Sequence, residues 1–403
     1  MIATSRQTLI ANVAQQICAA ILILCLPNLL SKADYAQVVY VSVLLSFAAF
    51  ADLGISLAYG RMVPALLAQE NHDDVHLWNG TTLKFGLMAS AIYSVILAGI
   101  YYYRYENIVR ALLFMPVPVI VFWFSFHVGR VSSSGDFSAY RRAVTWRSLG
   151  SLTALPLVIF SGLNGWFVAQ LFAVLLALLQ FGKRLLRSFG ALHWTLIRAH
   201  LKEGLLLSSI NVLWFQLLYS ARLYASFRYN QETLALYGLI SSAYQSLSAL
   251  VVSAFLPVSV GILSRYGKSS GLAFEFAAAA LAKSFPWIMA GTIASIIAAP
   301  FAVRLCFPGY HVETGILTAM LLCIMFYPFF LTWGSCMVAG KRFVTYLLLL
   351  LCNLAIGLGC AWGIDQRYPG HGAAWGQLIG IMSYTFCLFF AISGKQLTGR
   401  VHE

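Results

Sequence analysis

Apolar residues in this chain come in long unbroken runs, and the polar residues gather between them. Runs long enough to cross a membrane fall at about 9–30, 36–59, 82–103, 111–129, 143–161, 163–182, 205–227, 234–262, 283–303, 312–338, 343–363 and 371–393. At a rise of about 1.5 Å per residue, about 20 residues cover a hydrocarbon core of about 30 Å, so the pattern predicts about twelve transmembrane helices. The runs contain Gly and Pro and do not alternate in polarity. Lipid requires every backbone group to be satisfied within its segment, so a helical bundle follows rather than a barrel.

The stretch from Ser31 to Arg61 concentrates the problem this architecture poses. Between Ala36 and Tyr59 its one ionised side chain is Asp52, placed in the last third of the expected helix and followed by Gly54 and Arg61. A carboxylate there needs a partner, because an unpaired one in a bilayer protonates or destabilises. The first apolar run, after Arg6, is too long for a signal-peptide core and has no small-residue cleavage site, so it is expected to remain as a span.

Composition agrees: 60% hydrophobic and 10% charged residues, with a mean hydropathy of +0.80, exclude a soluble globule. The eight cysteines lie almost all within apolar runs and form no CxxC or Cys/His cluster, so neither metal nor disulfide is expected. With the N-terminus cytoplasmic, only Lys32, Arg104, Arg110, Arg222, Arg228, Arg304 and Arg367 fall on the outer side, and all other Lys and Arg fall inside. By the positive-inside rule both termini face the cytoplasm. This dispersal over loops accounts for most of the net charge of +13 without a nucleic-acid partner.

Short landmarks recur at a nearly constant offset. Tyr35 with Ala36 pairs with Tyr237 and Gly238; GDFSAY from Gly135 pairs with GKRFVTY from Gly340; GWFVAQ from Gly165 pairs with GAAWGQ from Gly372. The repeat predicts an all-α polytopic protein, with two six-helix pseudo-symmetric bundles around a central cleft, residues 1–198 and 199–403. Between them, at about 183–203, Leu185, Phe189, Leu192 and Leu196 stand at helical spacing among basic residues, the pattern of an amphipathic helix on an anionic leaflet; a solvated linker is the alternative. The outward connections are short and leave no room for an outer domain. Tyr101, Tyr102, Tyr103 and Tyr105 fit one aromatic belt, and Trp78, Trp146 and Trp194 the other.

Five stretches carry a resemblance: Ala33–Tyr35 (ADY), Phe50–Ser56 (FADLGIS), Leu234–Tyr244 (LALYGLISSAY), Gly340–Arg342 (GKR) and His371–Gly380 (HGAAWGQLIG). The chain resembles the polysaccharide-unit flippases (Wzx-like, O-antigen and exopolysaccharide) of the MOP exporter superfamily, which also contains the multidrug MATE exporters. The resemblance implies a flippase that moves a polyprenyl-pyrophosphate-linked oligosaccharide across the bacterial cytoplasmic membrane for surface polysaccharide biosynthesis, lipopolysaccharide included. Its implied partners are that lipid-linked oligosaccharide, membrane lipids, and polymerase and chain-length machinery. The expected helix 7 carries Arg222 where the family often has an acidic residue, so a coupling mechanism is not carried over.

Such a substrate asks for a wet cavity and for cations facing the pyrophosphate. Arg222, in the outer half of the expected helix 7, is placed in the cleft by the cost of a guanidinium in lipid, with headgroup snorkelling or pairing to Glu232 as the alternative. Lys84, Arg130 and Arg61 approach the inner mouth, where they serve either as a cationic funnel or as ordinary positive-inside anchors. Asp52 is the natural counter-charge for one of them; proton coupling through it is the sharper alternative. His127, one turn before Arg130, titrates near neutral pH when solvated, although a lone His near a helix end is usually structural. No cofactor is indicated, and proton or sodium coupling stays open.

Other chemistry fails on spacing. GILSRYGKSS near Gly261 has the wrong interval for a phosphate loop, NHDDVH at Asn71–His76 is a short exposed turn rather than a metal scaffold, and no nucleophile motif or paired carboxylates face solvent. An enzyme is not expected. A cation-coupled small-molecule exporter of the same superfamily is the nearest alternative, disfavoured because span-edge charges are mostly basic. A membrane polymerase or ligase is disfavoured by the short outer connections.

Overall fold

A computed structural model describes residues 2–48, 51–185, 190–266 and 270–399. The described residues are helical with no strand, and the chain divides into two compact units, 1–208 and 209–403. The first unit contains α1 (Ile2–Leu29), α2 (Lys32–Ala48), α3 (Ile55–Ala68), α4 (His72–Tyr105), α5 (Ile108–Phe114), α6 (Pro116–Ser133), α7 (Phe137–Ser151), α8 (Ala154–Leu179) and the start of α9 (Trp194–Leu218). The second continues α9 and adds α10 (Ser220–Arg228), α11 (Gln231–Tyr266), α12 (Ser270–Cys306), α13 (Thr314–Ala339), α14 (Phe343–Asp365) and α15 (Gly372–Gly399).

Helix starts follow from short polar side chains that accept otherwise orphaned N–H groups. Ser31 accepts from Asp34 N–H at 3.1 Å and donates to its carboxylate at 3.0 Å. Asn71, Asn107, Asp136 and Asn230 cap α4, α5, α7 and α11 in the same way. The NHDDVH stretch is thus a helix start, with Asp73 and Asp74 in the first turn where the helix dipole favours them.

Eight helices among the described residues are long and apolar enough to cross a membrane, and a ninth span results if α9 and α10, bent by 76°, count as one. The expected segmentation differs where apolar runs are interrupted. The run 36–59 is divided between α2 and α3 by a turn in which Leu53 and Gly54 both have positive φ. The run 205–227 bends at Tyr219, and the N–H of Ala221 freed there is taken by Gln377 Oε1 of α15 at 3.0 Å. Within α8, Gly162 has φ 55° and ψ −138°, and a methyl group at Gly165 would overlap the Leu157 carbonyl. Residues 157 and 165 would be about 12 Å apart in a straight helix, so α8 is a hairpin whose two legs continue the expected spans 143–161 and 163–182. Hydropathy averages over the breaks at Leu53–Gly54 and Tyr219 because both sides remain apolar.

The second half repeats this corner. A methyl group at Gly372 would overlap the Ala361 carbonyl, as at Gly165. Beyond it, Gly376 and Gly380 face Gly357, with Gly376 against the Gly357 carbonyl; small residues at four-residue spacing let α14 and α15 approach closely.

The described residues of the linker do not form one continuous helix. Residues 190–193 are non-helical, Phe189 lies outside the described residues, and Leu185 packs against the α6–α7–α8 core. Gly190 lies directly on Gly80, and Thr81 Oγ1 accepts from His193 N–H at 3.3 Å. Residues 78–83 of α4 are all buried, which means that segment is enclosed on every side. Trp78 is therefore a core residue beside Tyr59 and Phe126 rather than part of a lipid-facing belt. Tyr101 is likewise buried and donates to Gln37 Oε1 at 2.6 Å, whereas Tyr103 is exposed.

Candidate functional site

Asp52 lies at the α2–α3 turn and is 2% exposed. Its Oδ2 accepts from Ser56 N–H at 2.7 Å and its Oδ1 from Gly54 N–H at 3.2 Å. The carboxylate thus ends a helix break and faces the positive end of α3. Among the described residues no cation pairs with it, so the expectation that it neutralises Arg61, Lys84 or Arg130 gives way to backbone capping. Arg61 instead donates to Glu203 Oε1 of α9 at 2.8 Å. Directly beside this pair Gly54 and Gly204 bring their backbones together, which fixes the start of α9 against α3.

Arg130 closes α6, and its guanidinium donates to the carbonyl of Arg184 at 3.2 Å. Arg184 in turn pairs with Asp136 at 2.5 Å, and Asp136 caps α7 through its other oxygen. The Arg184 hydrogen bond, helped by the Ala139 N–H, holds the Asp136 carboxyl below the usual carboxylate range. Tyr59 lies within electrostatic reach of Arg130 and donates to buried Asn79 Oδ1 at 2.7 Å, so α3, α4 and α6 share one polar seam.

His127 is 1% exposed, with its ring centroid 5.1 Å from that of Phe181 and 5.3 Å from that of Phe126. Its Nε2 is enclosed without a hydrogen-bond partner. The aromatic enclosure makes it a packing element between two core clusters rather than a solvated titrating group. Lys84 is half-buried on α4 and has no ion-pair partner among the described residues. Arg222 belongs to the second unit, in the first turn of α10 directly after the Tyr219 bend.

In the first unit, then, four acids are engaged: Asp52 by backbone N–H, Asp34 by Arg110, Asp136 by Arg184 and Glu203 by Arg61. Arg184 and Arg110 were not singled out from the sequence. Arg110 binds Asp34 at 3.1 Å and Gln37 at 3.1 Å, beside Asn164 at 3.4 Å. The sequence trace of this network is that Asp34 lies in the Ala33–Tyr35 stretch and that Gly165, a repeat landmark, follows Asn164.

No family model and no curated protein matches the chain. Solved structures do. An inward-facing multidrug resistance MATE family transporter of the MOP superfamily is 15% identical, with a TM-score of 0.74 over 96% of this chain and 94% of that one. The lipid II flippase MurJ in an inward closed conformation is 14% identical, with a TM-score of 0.69 over 98% and 88%. A variant of the Vibrio cholerae MATE transporter VcmN is 14% identical, with a TM-score of 0.66 over 98% and 96%. The chain is a multi-pass, all-helical membrane protein with the fold shared by MATE and MOP-superfamily transporters.

Proposed function

We propose that the protein is a flippase that carries a polyprenyl-pyrophosphate-linked oligosaccharide from the inner to the outer leaflet of the bacterial cytoplasmic membrane. The observation that carries this reading is the charge balance of the first unit. Four of its carboxylates, Asp34, Asp52, Asp136 and Glu203, are already bound by backbone N–H or by arginine, the acids at the two ends of α4 are exposed, and Lys84 has no anionic partner among the described residues. A cationic drug would find none of these four carboxylates uncommitted; a pyrophosphate would find Lys84. MurJ, named as a lipid II flippase, lends support because its fold is shared over nearly the whole chain.

In this reading Lys84 and Arg130 of the first unit receive the pyrophosphate, Arg61 and Arg184 are already neutralised by Glu203 and Asp136, and Arg222 of the second unit is a separate candidate contact for the substrate. The protein performs no covalent step; it lowers the cost of moving a charged, hydrated head through lipid.

The test is protection of a polyprenyl-pyrophosphate oligosaccharide in liposomes, read by an added sugar-modifying enzyme. Protein-dependent access to the inner-leaflet pool is expected. Lys84→Gln and Arg222→Ala should each slow it about tenfold or more, the loss of one charge-assisted hydrogen bond of about 1.5–3 kcal/mol. Unchanged access with folded protein under an imposed proton gradient would move the assignment to a small-molecule exporter.

A further inference from the structure

The α10–α11 and α14–α15 connections meet in the second unit around a cavity of about 420 Å³. Its lining includes Arg228, Tyr229, Asn230, Thr233, Asp365 and Gln366. The wall is fixed by bonds of its own: Asp365 Oδ1 accepts from the Tyr229 hydroxyl at 2.7 Å and from Gly372 N–H at 2.8 Å. The Tyr237 hydroxyl donates to the Gly370 carbonyl at 2.8 Å, and Asn230 Oδ1 accepts from Thr233 N–H at 2.9 Å. A cavity held this way is pre-formed, and its volume lies in the range of small-molecule sites.

What remains for a ligand is of both signs and both polarities. Arg228 and Gln366 are exposed, and Arg228 has no ion-pair partner among the described residues. Asp365 Oδ2 is enclosed beside the Tyr224 hydroxyl, which also lies next to Arg228, so the acid contributes its charge rather than a free oxygen. Asp365 repels a phosphate and Arg228 repels a cation, so neither simple ion suits the site. Adjacent hydroxyl groups do: each donates one hydrogen bond and accepts two, and so can serve the guanidinium and both ends of the amide together without adding charge. Tyr229 adds a ring face for the apolar side of such a ligand.

We propose that this cavity binds a sugar ring. The proposal rests on the flippase reading in one respect. By the charge asymmetry of the loops both connections face away from the cytoplasm, so a ring held here belongs to a saccharide that has already crossed or to a free sugar outside.

The test is saturation-transfer NMR on the purified full-length protein in detergent with N-acetylglucosamine and galactose, and with glycine and inorganic phosphate as contrasting probes. Transfer to a sugar is expected, reduced at least fivefold in Gln366→Ala and in Arg228→Ala at unchanged thermal stability. The Gln366 side chain bonds nothing else among the described residues, so that variant reports the site rather than the fold. No transfer to either sugar, transfer indifferent to both substitutions, or binding of only glycine or phosphate overturns the proposal. Because binding is read without translocation, a failed flipping assay leaves it standing. With sugar binding lost, slower flipping of a lipid-linked saccharide identifies the ring as the substrate's own, and unchanged flipping identifies a free sugar.

Discussion

The Asp52 carboxylate is held by two N–H groups of one helix start, where it caps α3. Asp52→Ala should lower stability by about 1–2 kcal/mol, the cost of a lost cap with donors left unsatisfied, measured as thermal unfolding in detergent. Asp52→Asn keeps an accepting oxygen and should retain both most of the stability and transport; loss of transport alone would restore Asp52 as a proton carrier. Asp136 gives a pH signature. Its folded carboxyl titrates below the unfolded value of about 3.9, so its contribution is complete above that pH and fades as pH falls through the lower folded value. The Arg184 and Asp136 side chains are 53% and 29% exposed, so the pair contributes less than about 1 kcal/mol. A melting curve series from about pH 6 to about pH 3 should lose this component in Asp136→Asn. Such residues were legible as charges in apolar surroundings, but their partners were not: Ser56 N–H, Glu203 and the Arg184 carbonyl leave no spacing rule behind.

Glycine placement decides how the helices meet. A methyl group at Gly376 would lie 2.5 Å from the Gly357 carbonyl oxygen and 2.6 Å from Ala361 Cβ, and backbone cannot yield cheaply there. Gly376→Ala should destabilise by about 1–3 kcal/mol, the usual cost of overpacking, while Gly359→Ala, with open space around it, should be neutral or slightly stabilising. Equal melting temperatures for the two would remove the close-approach account. The HGAAWGQLIG motif was visible as a repeat landmark, and its Gly372, Gly376 and Gly380 spacing explains why those positions are small. The linker shows the opposite case. Leu185, Leu192 and Leu196 have helical periodicity, yet the chain there follows Gly190 onto Gly80 and bonds to Thr81, because burying that backbone against α4 wins over an isolated short helix.

On the scale of the whole molecule, the distribution of Lys and Arg predicts that both termini are cytoplasmic. A C-terminal green fluorescent protein should fluoresce and a C-terminal alkaline phosphatase should be inactive; the reverse pattern would invert the orientation and place the sugar cavity inside. Sequence alone determined the membrane class, the helical content and the net positive bias, because these are sums over long stretches in which each residue contributes independently to transfer between water and lipid. Only the tertiary structure decided that the runs 36–59 and 205–227 break, at Leu53–Gly54 and Tyr219, and which charges are left for a ligand. A break is tolerated when a distant group such as Gln377 takes the freed N–H, and a charge is available only when no neighbour has claimed it. Both conditions depend on residues far apart in the chain, and hydropathy carries no record of them.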